Sequence, residues 1–173
     1  MSPLWPERLA IGLAPDRISL IRSRGWRRHI TAKAIFPVPH AALMQAVHVW
    51  EPALETLAQV LRTEVRWHHT AAQVVLANSF VRYQLLAAAA GLSSTAEEAA
   101  YVQASFAQIH GEAAADWVYA LAEGYRSGAW VGSAIDRALL FRLEHLLSDA
   151  HCRLTSLAPH IGPAFNDARR TIR

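Results

Sequence analysis

Between Leu9 and Phe36 the chain turns back on itself twice while staying extended, and that opening constrains the fold more than any later segment. Leu9–Leu13 is a short apolar run, Ala14-Pro15-Asp16 supplies turn chemistry, and Arg17–Arg22 alternates polar with apolar, which predicts a hairpin. Gly25 marks a second turn. His29–Phe36 then alternates again, with Ile30, Ala32, Ala34 and Phe36 on one side and Thr31, Lys33 and Ile35 on the other, until Pro37 and Pro39 stop it. The prediction is a three-stranded antiparallel meander, a sheet whose apolar face must be covered by later segments of the chain.

Those later segments alternate helix and strand. Glu51-Pro52 puts proline in a first helical turn, and Leu54, Leu57, Ala58 and Leu61 recur at helical spacing up to Thr63. Gln73–Ala77 reads as a central strand, and Val81–Leu86 as a further extended segment running towards Ala87–Ala90, a loop or strand exit. Ser94 or Thr95 ahead of Glu97 and Glu98 starts a helix that Gly111 ends. Trp117–Leu121 and Trp130–Ala134, separated by Gly124 and Ser127-Gly128, read as a hairpin. Asp136 caps a helix striped with Leu139, Leu140, Leu143, Leu146 and Leu147; Leu154–Leu157 is strand-like, and Phe165–Thr171 reads as a terminal helix. By analogy of fold, this order resembles the plan of an α/β, ribonuclease H-like fold, which is also each half of an actin-like ATPase. The expectation is one such domain over residues 1–173, with a small hairpin insertion around residues 112–135.

A chain of 173 residues can bury one sizeable core. With 53% apolar and 18% charged residues it carries less charged surface than a free monomer usually shows, so an apolar face covered by a partner is expected. The net charge of +3 falls short of the dense positive field of a dedicated nucleic-acid binder. Its distribution is uneven: seven of the 17 Lys and Arg stand within the first 33 residues, against only Glu7 and Asp16. That is the composition of a solvated hairpin edge, or of a surface for an anionic partner. No run approaches the ~20 apolar residues that span a bilayer, and Pro3, Pro6, Glu7 and Arg8 interrupt any secretory-signal pattern. The lone Cys152 excludes an intramolecular disulfide and reads as a buried thiol in a reducing compartment.

Catalytic arrangements are sparse. His68 and His69 are adjacent and would point to opposite faces of a strand, so they do not make a shared metal site, and the other histidines lack ligand spacing. Cys152 beside His151 lacks the geometry a nucleophile pair needs. A nuclease of ribonuclease H type needs a carboxylate in mid first strand, whereas Glu7 and Asp16 flank that strand at its ends. Neither a GxxxxGK[ST] loop nor a GxGxxG loop occurs. Among six tryptophans, most of them expected in the core, Trp26 stands out: it sits between Gly25 and Arg27-Arg28 at a hairpin tip, where intramolecular burial is hard to arrange, and it reads either as simple packing in a loop or as a contact spot.

Four stretches recur in a telling order. They are Leu9-Ala10-Ile11-Gly12 with Arg17 five residues after the glycine; Val74-Val75-Leu76-Ala77-Asn78-Ser79-Phe80-Val81-Arg82-Tyr83; Tyr101 to Gly111 and then Trp117; and Ala134-Ile135-Asp136 with its leucine helix, succeeded by Ser156-Leu157-Ala158-Pro159 through Asn166. Together they resemble the type IV pilus assembly protein PilM and the cytoplasmic actin-like domain of the type II secretion protein GspL. The resemblance implies a vestigial nucleotide site at Gly12 and Arg17 and places Arg82 near the cleft, where the bland reading is a surface ion-pair partner; with the hairpin tip this gives a partner-binding set of Trp26, Arg27, Arg28, Arg82 and Tyr83. Two departures bear on mechanism. Ala10 stands where actin-like ATPases carry the Asp that organises Mg²⁺, and the chain ends after one of the two halves that hold nucleotide between them.

The implied function is a non-catalytic scaffold or adaptor of a type IV pilus or type II secretion-like apparatus, with no catalytic residue, no metal and no cofactor. Its partner would be an inner-membrane secretion or pilus component, or a secretion ATPase, met in the cytoplasm at the inner membrane without insertion. The alternatives are a nucleotide-binding ATPase domain whose second half is absent, and a nucleic-acid binder using the Arg-rich hairpin. A homo-oligomer fits the low charge fraction and the open hairpin edge.

Overall fold

The computed structural model describes residues 7–87, 94–123 and 129–160. They form two compact units, divided between Phe80 and Val81 and again between Leu140 and Phe141.

The first unit is built on a five-stranded sheet. Strands β1 (Arg8–Leu13), β2 (Arg17–Arg24) and β3 (His29–Pro37) form the expected antiparallel meander. A short α1 (His40–Gln45) and α2 (Glu51–Thr63) come next, then β4 (Ala71–Leu76), which lies parallel to β1. After the second unit the chain returns along α4 (Arg137–Asp149) to β8 (Arg153–Pro159), parallel to β4, and the order across the sheet is β3-β2-β1-β4-β8. Helix α2 begins and ends where proline and the leucine spacing place it. Pro52, Ala53, Leu54, Leu57, Val60 and Leu61 form its buried stripe, Glu51 lies in its first turn and Arg62 in its last, both favourable to the helix dipole. The stripe shares a core with Leu9, Ile11 and Leu13 of β1, Ile18 and Leu20 of β2, and Val74 and Leu76 of β4, each at most 2% exposed. Burial of one such side chain contributes about 1.5–3 kcal/mol.

One expected alternation fails. The pairing of β2 with β3 slips at Arg22/Ser23, so Ile30 lies opposite Ser23 rather than continuing the row of Ala34 and Phe36. A bulge of this kind puts an extra residue into one strand and re-aims the side chains beyond it. Ile30 therefore faces away from the core and is 56% exposed.

The second unit takes in more than a hairpin around residues 112–135. The segment read as Val81–Leu86 is β5 (Arg82–Ala87), and it pairs with β7 (Ala129–Asp136) rather than with the main sheet; β7 pairs in turn with β6 (Trp117–Glu123). Helix α3 (Thr95–His110) starts on a capping box, in which Ser94 Oγ accepts from the Glu97 N–H at 3.3 Å and Glu97 accepts from the Ser94 N–H at 3.2 Å. It ends at Gly111, whose φ of 61° suits glycine. Phe106 and Val102 of α3 pack with Leu86, Ala114, Trp117 and Ala134 in a small separate core. Gly132 is the close-approach point: a Cβ there would lie 3.0 Å from Phe106 and 3.1 Å from Leu86. Gly132→Val is expected to cost about 1–3 kcal/mol through overpacking, read as a lower urea midpoint in far-UV circular dichroism; an unchanged midpoint would show that α3 can back away. The readings of Ala88–Ala90, of Gly124 and Ser127-Gly128, and of a helix over Phe165–Thr171 fall outside the described residues.

Candidate functional site

Strand alternation gives β1 two unlike faces. Leu9, Ile11 and Leu13 enter the core, while Arg8, Ala10 and Gly12 line the opposite face of the sheet. Ala10 lies between Ile21 of β2 and Gln73 of β4. These three, with Arg8, Ser23, Arg28 and Ile30, line a depression of about 220 Å³. Hydrated Mg²⁺ needs carboxylates to anchor it. A lining of two guanidiniums, a methyl group, aliphatic side chains, a hydroxyl and an amide does not fit that ion.

Gly12 sits opposite Ser19, and a Cβ at this position would fall 2.5 Å from Ser19 Oγ. The glycine thus makes room for a neighbouring hydroxyl. Arg17 opens β2 at the hairpin turn, largely exposed, with Asp16 at 3.8 Å; such a pair is worth little in water.

The second turn of the meander is a four-residue loop, Gly25–Arg28, closed by the Arg28 N–H donating to the Gly25 carbonyl at 3.2 Å, with Gly25 at φ 80° and Arg28 at φ 52°. It holds Trp26 73% exposed, with the Arg27 guanidinium 5.1 Å from the indole centroid. Arg22 is engaged with the Glu7 carboxylate and the Arg66 carbonyl. Arg24, Arg27 and Arg28 have no carboxylate partner among the described residues.

Arg82 and Tyr83 belong to the second unit, so the expected partner-binding set is divided between the two units. Arg82 is tied into its own unit: it donates to Asp136 Oδ1 at 3.1 Å and stacks over Trp117 at 4.1 Å. Tyr83 is half-buried, and desolvation raises its hydroxyl pKa above 10.0. His69 stacks on His151 with centroids 5.0 Å apart, and His68 Nε2 lies 2.6 Å from the Leu61 carbonyl. Cys152 is buried, 3.3 Å from both Thr70 Oγ1 and the Trp67 carbonyl.

One surface was not anticipated from the sequence. At the end of α1 and in its link to α2, Met44, Val47 and Val49 are 77%, 87% and 53% exposed. Ala42, Gln45, Ala46, Val47, Glu51, Pro52 and Glu55 line a hollow there of about 270 Å³. Glu51 is held by the His48 N–H at 3.2 Å and by Arg142 at 3.5 Å, whereas Glu55 is exposed with no cation beside it among the described residues. The signal was two valines on either side of His48, in a segment without helical periodicity.

The meander leading into parallel β4 and β8, with a unit inserted between them, is the ribonuclease H-like plan of half an actin-like ATPase. The chain is similar to the cytoplasmic domain of EpsL, an inner-membrane component of the type II secretion system of Vibrio cholerae. That likeness has 13% identity and a TM-score of 0.62 over 88% of this chain and 57% of that one. It is also similar to a chain of the PilM–PilN type IV pilus biogenesis complex, with 18% identity and a TM-score of 0.61 over 88% and 47%. A Bacteroides thetaiotaomicron protein with an actin-like ATPase fold and unknown function gives 11% and 0.58 over 92% and 54%. The chain thus spans about half the length of the solved chains it matches. No family model and no curated protein matches the sequence.

Proposed function

We propose that this chain is a non-catalytic scaffold domain of a type II secretion-like or type IV pilus-like apparatus, acting by protein–protein binding on the cytoplasmic side of the inner membrane. The observation that carries the proposal is Ala10 on the open face of β1, in a depression lined by Arg8 and Arg28, within a fold otherwise like that of EpsL and PilM. A sheet of this plan keeps its architecture when the acid that would handle a cation is a methyl group, and binding is the role left to it. No helix among the described residues is long and apolar enough to cross a membrane. Gly12 and Arg17 act in this reading as turn and packing residues, and no nucleotide is required.

The test is chemical cross-linking in the native cell and then affinity capture of the chain, together with an ATP titration of the purified protein in the presence of Mg²⁺. The expected result is enrichment of an inner-membrane secretion or pilus component or of a secretion ATPase, with tryptophan fluorescence unmoved by millimolar nucleotide. Saturable binding with Mg²⁺-dependent turnover, or capture devoid of envelope and secretion components, overturns it.

A further inference from the structure

We infer that the Trp26 loop of one copy docks into the Val47 hollow of a second copy, so that copies add head to tail. The inference rests on the protein-binding reading above and names the occupant of one binding surface. The two surfaces complement each other in charge. The loop offers an indole 73% exposed among Arg24, Arg27 and Arg28, none of them with a carboxylate partner among the described residues. The hollow is lined by Val47, 87% exposed, and by Glu55, whose carboxylate has no cation beside it among the described residues, and Met44, 77% exposed, precedes the lining residue Gln45. Exposed aromatic and arginine side chains are the composition of interface hot spots, and opposite charge fixes the register in which they dock. At about 270 Å³ the hollow is smaller than the ~300–1,000 Å³ of sites that enclose a metabolite. One large side chain suits it better.

Topology excludes closure within one molecule. The loop precedes β3 and the hollow comes after it, so the nine residues of that strand, about 30 Å at ~3.3 Å each, hold them at opposite ends of the same sheet. A contact between unlike surfaces leaves one loop and one hollow free, and growth continues unless the rotation closes a ring. The contact is small, in the class below about 1,200 Å² that marks weak encounters, so assembly belongs to high local concentration.

Sedimentation equilibrium on the purified chain tests this. The weight-average mass is expected to rise from the 19.1 kDa of a monomer at ~10 μM to at least about twice that at ~1 mM, the range of a weak contact. Two variants that invert the sign of one surface each, R27E/R28E by reversal and Q45K/E55K by one reversal and one added cation, change exposed positions only and are each expected to keep the monomer mass at ~1 mM. Their equimolar mixture is expected to regain the rise, because each loop then meets a hollow of opposite sign. A natural chain that stays monomeric throughout, assembly that both reversals leave intact, or a mixture that stays monomeric overturns the inference. Capture of an envelope partner by the same preparation separates that failure from a failure of the scaffold reading.

Discussion

Trp67→Ala is expected to remove about 3–5 kcal/mol of stability, out of a total that for a domain is about 5–15 kcal/mol. Trp67 is fully buried in a single helical turn, Val65–Trp67, directly after α2. Its indole N–H donates to Glu64 Oε2 at 2.9 Å, and the Arg66 guanidinium lies 4.7 Å from the ring centroid. Its carbonyl accepts from Thr70 Oγ1 and Cys152 Sγ, each at 3.3 Å, which ties the entry of β4 to that of β8. Truncation leaves a cavity where α2 hands over to the sheet and strips the Glu64 carboxylate of a donor. Urea denaturation should show a lower midpoint with an unchanged slope. Trp67→Phe, which keeps much of the volume and loses only the donor, should fall between the natural chain and Trp67→Ala. A midpoint shift in Trp67→Ala worth under ~1 kcal/mol would mean that the surrounding residues collapse into the space, as the spread of such measured values allows.

The second large effect falls in the other unit. Phe106 is fully buried, edge-on to Trp117 with centroids 6.1 Å apart and tilted against Tyr119 at 5.4 Å. Phe106→Ala is expected to cost about 3–5 kcal/mol, and the buried residues around it are few. A core that small has little else to hold it, so hydrogen exchange should show amides of β5, β6 and β7 losing protection while those of β1, β2 and β4 keep theirs. Equal loss in both units would show that they open as one cooperative body.

Local chemistry was legible where the sequence carries its own period or cap. The meander, the bounds of α2 at Glu51 and Thr63, and the start of α3 at Ser94 all derive from side chains within a few residues of the feature. Features that need a distant partner were not legible. Val81–Leu86 reads as an extended segment, but the pairing of β5 with β7 depends on residues some fifty positions later, and a like distance separates Arg82 from Asp136. The slip at Arg22/Ser23 has no signature in the alternation of β3, and it decides on which face Ile30 stands. α1 is short and has no side-chain cap, so nothing announced it. The candidate surfaces divide the same way. Trp26 was conspicuous because glycine and arginines surround it, whereas Met44, Val47 and Val49 have the composition of core residues, and only the folded chain leaves them in water.

The chain leaves the first unit once, after Phe80, and rejoins it once, at Phe141. Both attachment points of the inserted unit are thus supplied by one host, which keeps the ends of the excursion together and limits the entropy lost when its contents are lengthened, shortened or replaced. Changes within β5 through β7 therefore act on a small core of their own, apart from the one that Leu9, Ile11, Leu57 and Val74 build.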